Sequence, residues 1–276
     1  MTETLRRQEA SLELTIVDAP DIAPVLLSRG ESITIGRGND CGIWINHASV
    51  SRHHAVLSLG ADGATIELGV GRALAGITSA LIEQRRNLAM HTGIVGDAAM
   101  RLIEAGCVTR PLIGKACAIG ATAMGTQAFY AWADGNERIA LTDSRRAHNS
   151  DYLASWPSFT AINSAIQVDL QGNANATMHS GRLVSGPGGA VDFSSAGVRG
   201  AASIIAIFST NRDGASNIVA TTQAVSLPGN FITHVVTEHG VANLRELSPH
   251  KRSRELIAIA APQHRQDLAR AAGIFL

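Results

Sequence analysis

From residue 64 onward, short apolar runs that end in glycine alternate with stretches of helical periodicity. This alternation constrains the fold more than anything else in the chain. Residues 64–68 read as a buried strand. Gly69-Val70-Gly71 then opens a helix through about residue 86, with Leu74, Ile77 and Leu81 on one apolar stripe. Residues 88–92 read as the next strand and 97–105 as the next helix. The pattern continues with a strand at 116–120, a helix near 126–133 and a strand at 138–141. Later strands are expected at 160–170, 203–208, 217–221 and 234–237. Ser248 before Pro249 starts a helix through 260, which Pro262 breaks before a last short helix. Such alternation predicts an α/β fold: a mostly parallel sheet with helices on both faces.

Residues 12–59 follow a different rule. Short strand-like runs at 12–17, 32–35, 43–45 and 55–59 are separated by turn residues. Two domains follow, a small β-rich segment over 1–63 and an α/β domain over 64–276, joined near Gly60–Gly63.

Bulk charge narrows the function classes. Lys+Arg and Asp+Glu balance at 23 each, so nothing points to nucleic acid or an anionic membrane. Cys41, Cys107 and Cys117 lack CxxC spacing, and the histidines lack metal spacing, so neither a disulfide framework nor a metal site is expected. No apolar run is long enough to span a bilayer, no leader peptide is visible, and a cytoplasmic setting is expected.

Within the first segment, SITIGRGNDCGIWINHASVSRHHAVLSL carries Gly36-Arg37 and, further on, Ser51-Arg52-x-His54. This resembles a forkhead-associated (FHA) domain, a β-sandwich that binds phosphothreonine peptides. The resemblance implies that Arg37, Ser51 and Arg52 bind phosphate, through a forked guanidinium, a hydroxyl and a second charge. His54 reads as a loop brace. The segment is shorter than a complete domain of this type and has no Asn-Gly turn after residue 54, so a truncated remnant stands beside live peptide binding.

The long run AINSAIQVDLQGNANATMHSGRLVSGPGGAVDF, the turn ELGVG, NLAMHTGIVGDAAMRLIEAGCVT, AIGATAMGTQAFYAWADGN, THVVTEHGVANLREL and SPHKRSRELIAIAAPQHRQDL occur in an order that resembles the C-terminal half of the acetyl-CoA hydrolase/transferase family, over 64–272. The resemblance implies an acyl-CoA and a carboxylic acid as substrates, with coenzyme A as substrate and no separate cofactor. It places CoA against Gly69, Gly71, Gly186, Gly188 and Gly189, where backbone N–H groups can meet a tetrahedral oxyanion. A tight strand-helix connection is the purely structural account of the same glycines.

In that family the nucleophilic glutamate follows a His-Thr pair. Here His91-Thr92 are followed by Gly93, which has no side chain to attack a thioester. Glu67, at the carboxyl end of the first strand, is the candidate replacement base or nucleophile. Asp97 reads as an ordinary helix cap, and Glu238 as structural. The family's first half is absent, so a second copy of the chain or a partner subunit is expected to complete the site. A catalytically inactive module that binds CoA or a phosphothreonine peptide is the alternative.

Other chemistries fit less well. A dinucleotide fingerprint at Gly69-Val70-Gly71 would need glycine or alanine where Leu74 stands, and an acidic residue near 90. Ser185, Ser209 and Thr210 have no partnered His/Asp constellation in sequence.

Overall fold

The computed structural model describes residues 63–275 except 86 and 157, and five strands before them. The chain divides into two compact units, Met1–Asp62 and Gly63–Leu276. In the first, Ser11–Leu14 pairs antiparallel with Val25–Ser28. Ser32–Gly36 pairs with Ile43–Trp44 in parallel and with Ala55–Ser58 antiparallel. Arg37, Ser51, Arg52 and His54 lie outside the described residues.

The second unit is built on an eight-stranded sheet. From one edge to the other its strands are Gly240–Asn243, His234–Thr237, Ala202–Ala206, Thr160–Ser164, Thr65–Leu68, Ala89–Val95, Ala118–Ala123 and Ile139–Leu141. All neighbours are parallel except the Gly240–Asn243 edge, which folds back antiparallel on His234–Thr237. The mostly parallel sheet predicted from the alternation is the observed architecture.

Both faces are covered. Strand side chains alternate, so Ile66, Leu68, Met90 and Ile162 point one way, into a core shared with Leu74 and Leu102 of the helices Arg72–Gln84 and Asp97–Glu104. The opposite face is covered by helices Ser150–Ala154 and Ala190–Arg199, through Leu153, Phe193 and Ala196 against Ala161. A further core gathers Val168, Ile205, Ile218 and Val235 under the helices Pro249–Ala258 and Pro262–Ala271. Among the described residues, no helix is long and apolar enough to cross a membrane.

Three elements differ from expectation. The run at 160–170 is two strands in two sheets: Thr160–Ser164 stays in the main sheet, while Gln167–Asp169 pairs with Ala174–Asn175 and Ile218–Val219. Composition favours extended backbone throughout the run but says nothing about which partner each part takes. The strand expected at 217–221 contracts to Ile218–Val219 for the same reason. The strand expected to end at residue 92 runs on to Val95, paired through Ile94↔Thr122 and Val95↔Ala123. Gly93 therefore sits inside a strand.

Candidate active site

The first strand ends in Glu67-Leu68, and the ladder beside it continues as Gly69 N–H donates to the Ile162 carbonyl at 2.9 Å. The registers Ile66↔Met90 and Ala161↔Glu67 place Glu67, His91, Gly93 and Asn163 on one face of the sheet. Thr92 Oγ1 donates to the Leu68 carbonyl at 3.0 Å and ties the second strand to the first just before the glycine turn.

On that face lies a cavity of about 340 Å³. Its wall includes Glu67, Gly69, Gly93, Gly186, Gly188 and Gly189. Residues as far as 122 positions apart in sequence are thus brought to one space at the carboxyl ends of the strands, where open α/β sheets place ligands. Gly71 is not among them. It lines an adjoining cavity of about 300 Å³ and forms the N-cap of helix Arg72–Gln84.

Glu67 is 2% exposed. Burial pushes its carboxyl up to about 8, against smaller opposing hydrogen bonds from the Ile162 backbone and the Asn163 side chain. Asn163 Nδ2 donates to Glu67 Oε2 at 2.8 Å. The same amide crowds Gly69, where a Cβ would stand 2.4 Å from Asn163 Oδ1. A side chain at 69 would therefore displace the Asn163 amide, whatever the cavity binds.

Gly93 shows the opposite. A Cβ there would meet His148 Nε2 and Phe193 Cε2 at 3.4 Å, ordinary contact. Nothing in the backbone demands glycine, so Gly93→Ala is expected to change stability by less than about 1 kcal/mol in denaturant unfolding. Gly189→Ala is expected to cost more, about 1–3 kcal/mol, because its Cβ would lie 2.8 Å from Phe193 Cε2.

His91 is buried against Tyr152, ring centroids 5.7 Å apart. Burial lowers its pKa to about 4; the Ala147 backbone pulls weakly the other way, and the charges of Arg146 and His148 lower it further. Neither ring nitrogen completes a hydrogen bond of ordinary geometry, and His91 is neutral at physiological pH.

The other carboxylates are occupied elsewhere. Asp97 does not cap its own helix, whose N-cap is Gly96 without a side-chain hydrogen bond. It accepts from Thr126 N–H at 3.0 Å and Thr126 Oγ1 at 2.6 Å, joining its helix to the start of Gln127–Ala133, and these bonds hold its carboxyl below the usual range. Partial burial of Glu238 is outweighed by hydrogen bonds from Ser209, whose N–H and Oγ donate at 2.9 and 2.6 Å, so its carboxyl is also lowered. Glu67 is the carboxylate that lines the cavity.

Comparison with known proteins places this geometry. A family profile described as the acetyl-CoA hydrolase/transferase C-terminal domain matches residues 125–272. The chain belongs to this family. A 4-hydroxybutyrate coenzyme A transferase of Clostridium kluyveri is 31% identical over 223 residues, 76% of this chain and 51% of that protein. An acetyl-CoA hydrolase of Kluyveromyces lactis is 29% identical over 70% of this chain and 37% of its own length. The crystal structure of RipA from Yersinia pestis superposes with a TM-score of 0.72 at 29% identity, over 77% of this chain and 49% of RipA. An FHA domain profile matches residues 33–70. The chain spans about half the length of the curated relatives it matches.

The cavity gathers most of the positions singled out from sequence. Two residues that sequence reasoning passed over also belong to it or adjoin it: Asn163, which binds Glu67, and His148, which stands behind Gly93 and Gly189. Asn163 carried a signal, a polar residue at the carboxyl end of an otherwise apolar strand. His148 carried only its position between two capping residues, Asp143 and Asn149.

Proposed function

We propose that the cavity bounded by Glu67, Gly93 and the 186–189 loop binds an acyl-CoA thioester and acts on it, moving CoA to a carboxylic acid or hydrolysing it, with Glu67 as the working carboxylate. The observation that carries this reading is the convergence of Glu67 with Gly93 and the glycine loop on one cavity, in a chain of this family. Relatives named for both transfer and hydrolysis make both outcomes available. The substrate site is proposed to be completed by a second copy of the chain or by a partner subunit.

Burial fixes when Glu67 can serve. With its carboxyl pushed up to about 8, it holds its proton at neutral pH and becomes a base or nucleophile only as pH rises through that value. Turnover of acetyl-CoA, followed as free thiol with and without an acceptor acid, is expected to climb between about pH 7 and 9. CoA at about a hundred times its Kd is expected to stabilise the fold by about 2.7 kcal/mol. Absence of both thiol release and thermal stabilisation would remove the reading.

The FHA match over 33–70 favours a second activity for the first unit, binding of a phosphothreonine peptide through Arg37, Ser51 and Arg52. Arg37→Ala is expected to reduce peptide affinity at least tenfold by fluorescence anisotropy; an unchanged Kd counts against it.

A further inference from the structure

Strands Thr65–Leu68 and Ala89–Val95 are paired only at the start of their run. Their register reaches Ile66↔Met90 and stops, whereas Ala89–Val95 stays paired with Ala118–Ala123 as far as Val95↔Ala123. Beyond Met90 the Leu68 carbonyl accepts from the Thr92 side chain at 3.0 Å, and Gly69 N–H turns to the Ile162 carbonyl on the other side. The two strands therefore part at their carboxyl ends. Leu68, Gly69, Val70 and Ile94 border the gap, and these same residues line both the Glu67 cavity and the adjoining cavity of about 300 Å³. The two spaces meet around the end of the first strand.

The adjoining cavity takes its walls from the helix-covered face of the sheet. Leu68, Met90 and Ile94 alternate along their strands with Glu67, His91 and Gly93, so the strands give it apolar side chains. Leu74 and Ala75 of helix Arg72–Gln84 and Ala98 of helix Asp97–Glu104 add to them. The polar groups in the wall are already engaged. Thr78 Oγ1 donates to the Leu74 carbonyl at 2.9 Å, and Asp97 accepts from Thr126. Arg101 is exposed, its Nη2 donating to Ser79 Oγ at 3.4 Å. What the wall offers a ligand is hydrocarbon. Val70 and Met124, 68% and 55% exposed, also leave large apolar side chains in water there, which an apolar ligand would cover.

We propose that this second cavity receives the acyl chain of the thioester, and that the chain is apolar and about six to eight carbons long. The inference rests on the acyl-CoA reading above and deepens it by naming the acyl class. The thioester carbonyl stands at Glu67, and the chain passes between Gly69 and Ile94 to reach Leu74 and Met90. Size sets the length. An apolar cavity of about 150 Å³ takes one benzene molecule, and this one, at about 300 Å³, has twice that room. An acetyl group would leave most of it empty. A carboxylate at the far end of the chain would lose its hydration against Leu74 and Met90, which is strongly unfavourable.

The test is calorimetric titration of the full chain with acetyl-, butyryl-, hexanoyl- and succinyl-CoA at about pH 6, below the range in which Glu67 ionises. Hexanoyl-CoA is expected to bind at least about 30-fold more tightly than acetyl-CoA, from burial of the added methylenes. Butyryl-CoA is expected to fall between them. Succinyl-CoA, with the same number of acyl carbons as butyryl-CoA and a terminal carboxylate, is expected to bind no better than acetyl-CoA. Ala75→Phe fills the cavity from an exposed helix position and is expected to cut the hexanoyl-to-acetyl preference to about threefold or less. Met124→Ala removes part of the exposed apolar wall, leaves the core untouched, and is expected to lower the same preference severalfold; it keeps the test open if phenylalanine at 75 lowers the melting temperature. Equal affinity for acetyl- and hexanoyl-CoA would overturn the proposal and leave the acyl-CoA reading intact, as would tighter binding of succinyl-CoA than of butyryl-CoA. A preference for hexanoyl-CoA undiminished in both variants would place the chain elsewhere and overturn it too. Failure to bind any of these thioesters would remove the acyl-CoA reading itself, and this inference with it.

Discussion

Glu67→Gln is expected to lower thioester turnover at least about 100-fold at pH 8.5 while making the fold more resistant to alkali. Both effects come from one buried carboxyl. Its folded-state pKa, about 8 against an ordinary 4.5, means that ionisation is opposed by the fold. The stability associated with the protonated group is fully present below about pH 4.5 and is lost as pH rises through about 8. At about 1.4 kcal/mol for each factor of ten, the cost on ionisation is on the order of 5 kcal/mol. Glutamine can keep the acceptor for Asn163 and cannot ionise. Urea unfolding of the two proteins at pH 5 and pH 9 is therefore expected to show the glutamine variant gaining several kcal/mol on the wild type at the higher pH. Parallel pH dependence in both proteins would place Glu67 in water and undo the argument for its raised pKa.

Phe193→Ala is expected to cost about 3–5 kcal/mol, the range for removing a buried phenyl ring. Phe193 is 3% exposed and packs with Leu153, Phe159, Ala161 and Ala196 beneath helix Ala190–Arg199. It also fixes the glycine loop and His148 from below. A stability loss in denaturant unfolding should thus come with weaker CoA binding, because the loop at 186–189 loses its support. Phe159→Ala is the control: it is equally buried in the same cluster but does not line the cavity. A comparable stability loss is expected there, with a smaller change in CoA affinity.

The α/β architecture was legible because it depends on periodicity, which local sequence carries. Leu74, Ile77 and Leu81 pack their helix against the core as their spacing predicts. What local sequence does not carry is partner choice. Residues 160–170 are extended throughout, yet the hydrogen bond from Ile166 N–H to Asn175 and the turn that Asp169 Oδ1 builds with Gln171 and Asn173 N–H draw the second half into another sheet. The strand expected over 88–92 continues through Gly93 to Val95 because it pairs with Ala118–Ala123.

The site was legible where ordered motifs located it, in Gly93 and the glycine loop, and where strand-end geometry pointed to Glu67. It was illegible where a function depends on a contact between distant elements. Asp97 reads as a cap in sequence and instead accepts from Thr126 on the next helix. His148 has no motif of its own, and its meaning comes from two glycines 55 residues before it and 41 after.

The central claim is that the Glu67 cavity binds CoA, and calorimetric titration of the full chain with CoA tests it most directly, beside a Ser185→Trp variant. Ser185 is exposed on the loop that lines the cavity, so tryptophan there obstructs the site without disturbing the core. Saturable binding by the wild type, weakened at least tenfold in Ser185→Trp at an unchanged melting temperature, is the predicted result. Equal affinity in the two proteins would place CoA elsewhere, and no heat with either would contradict the account.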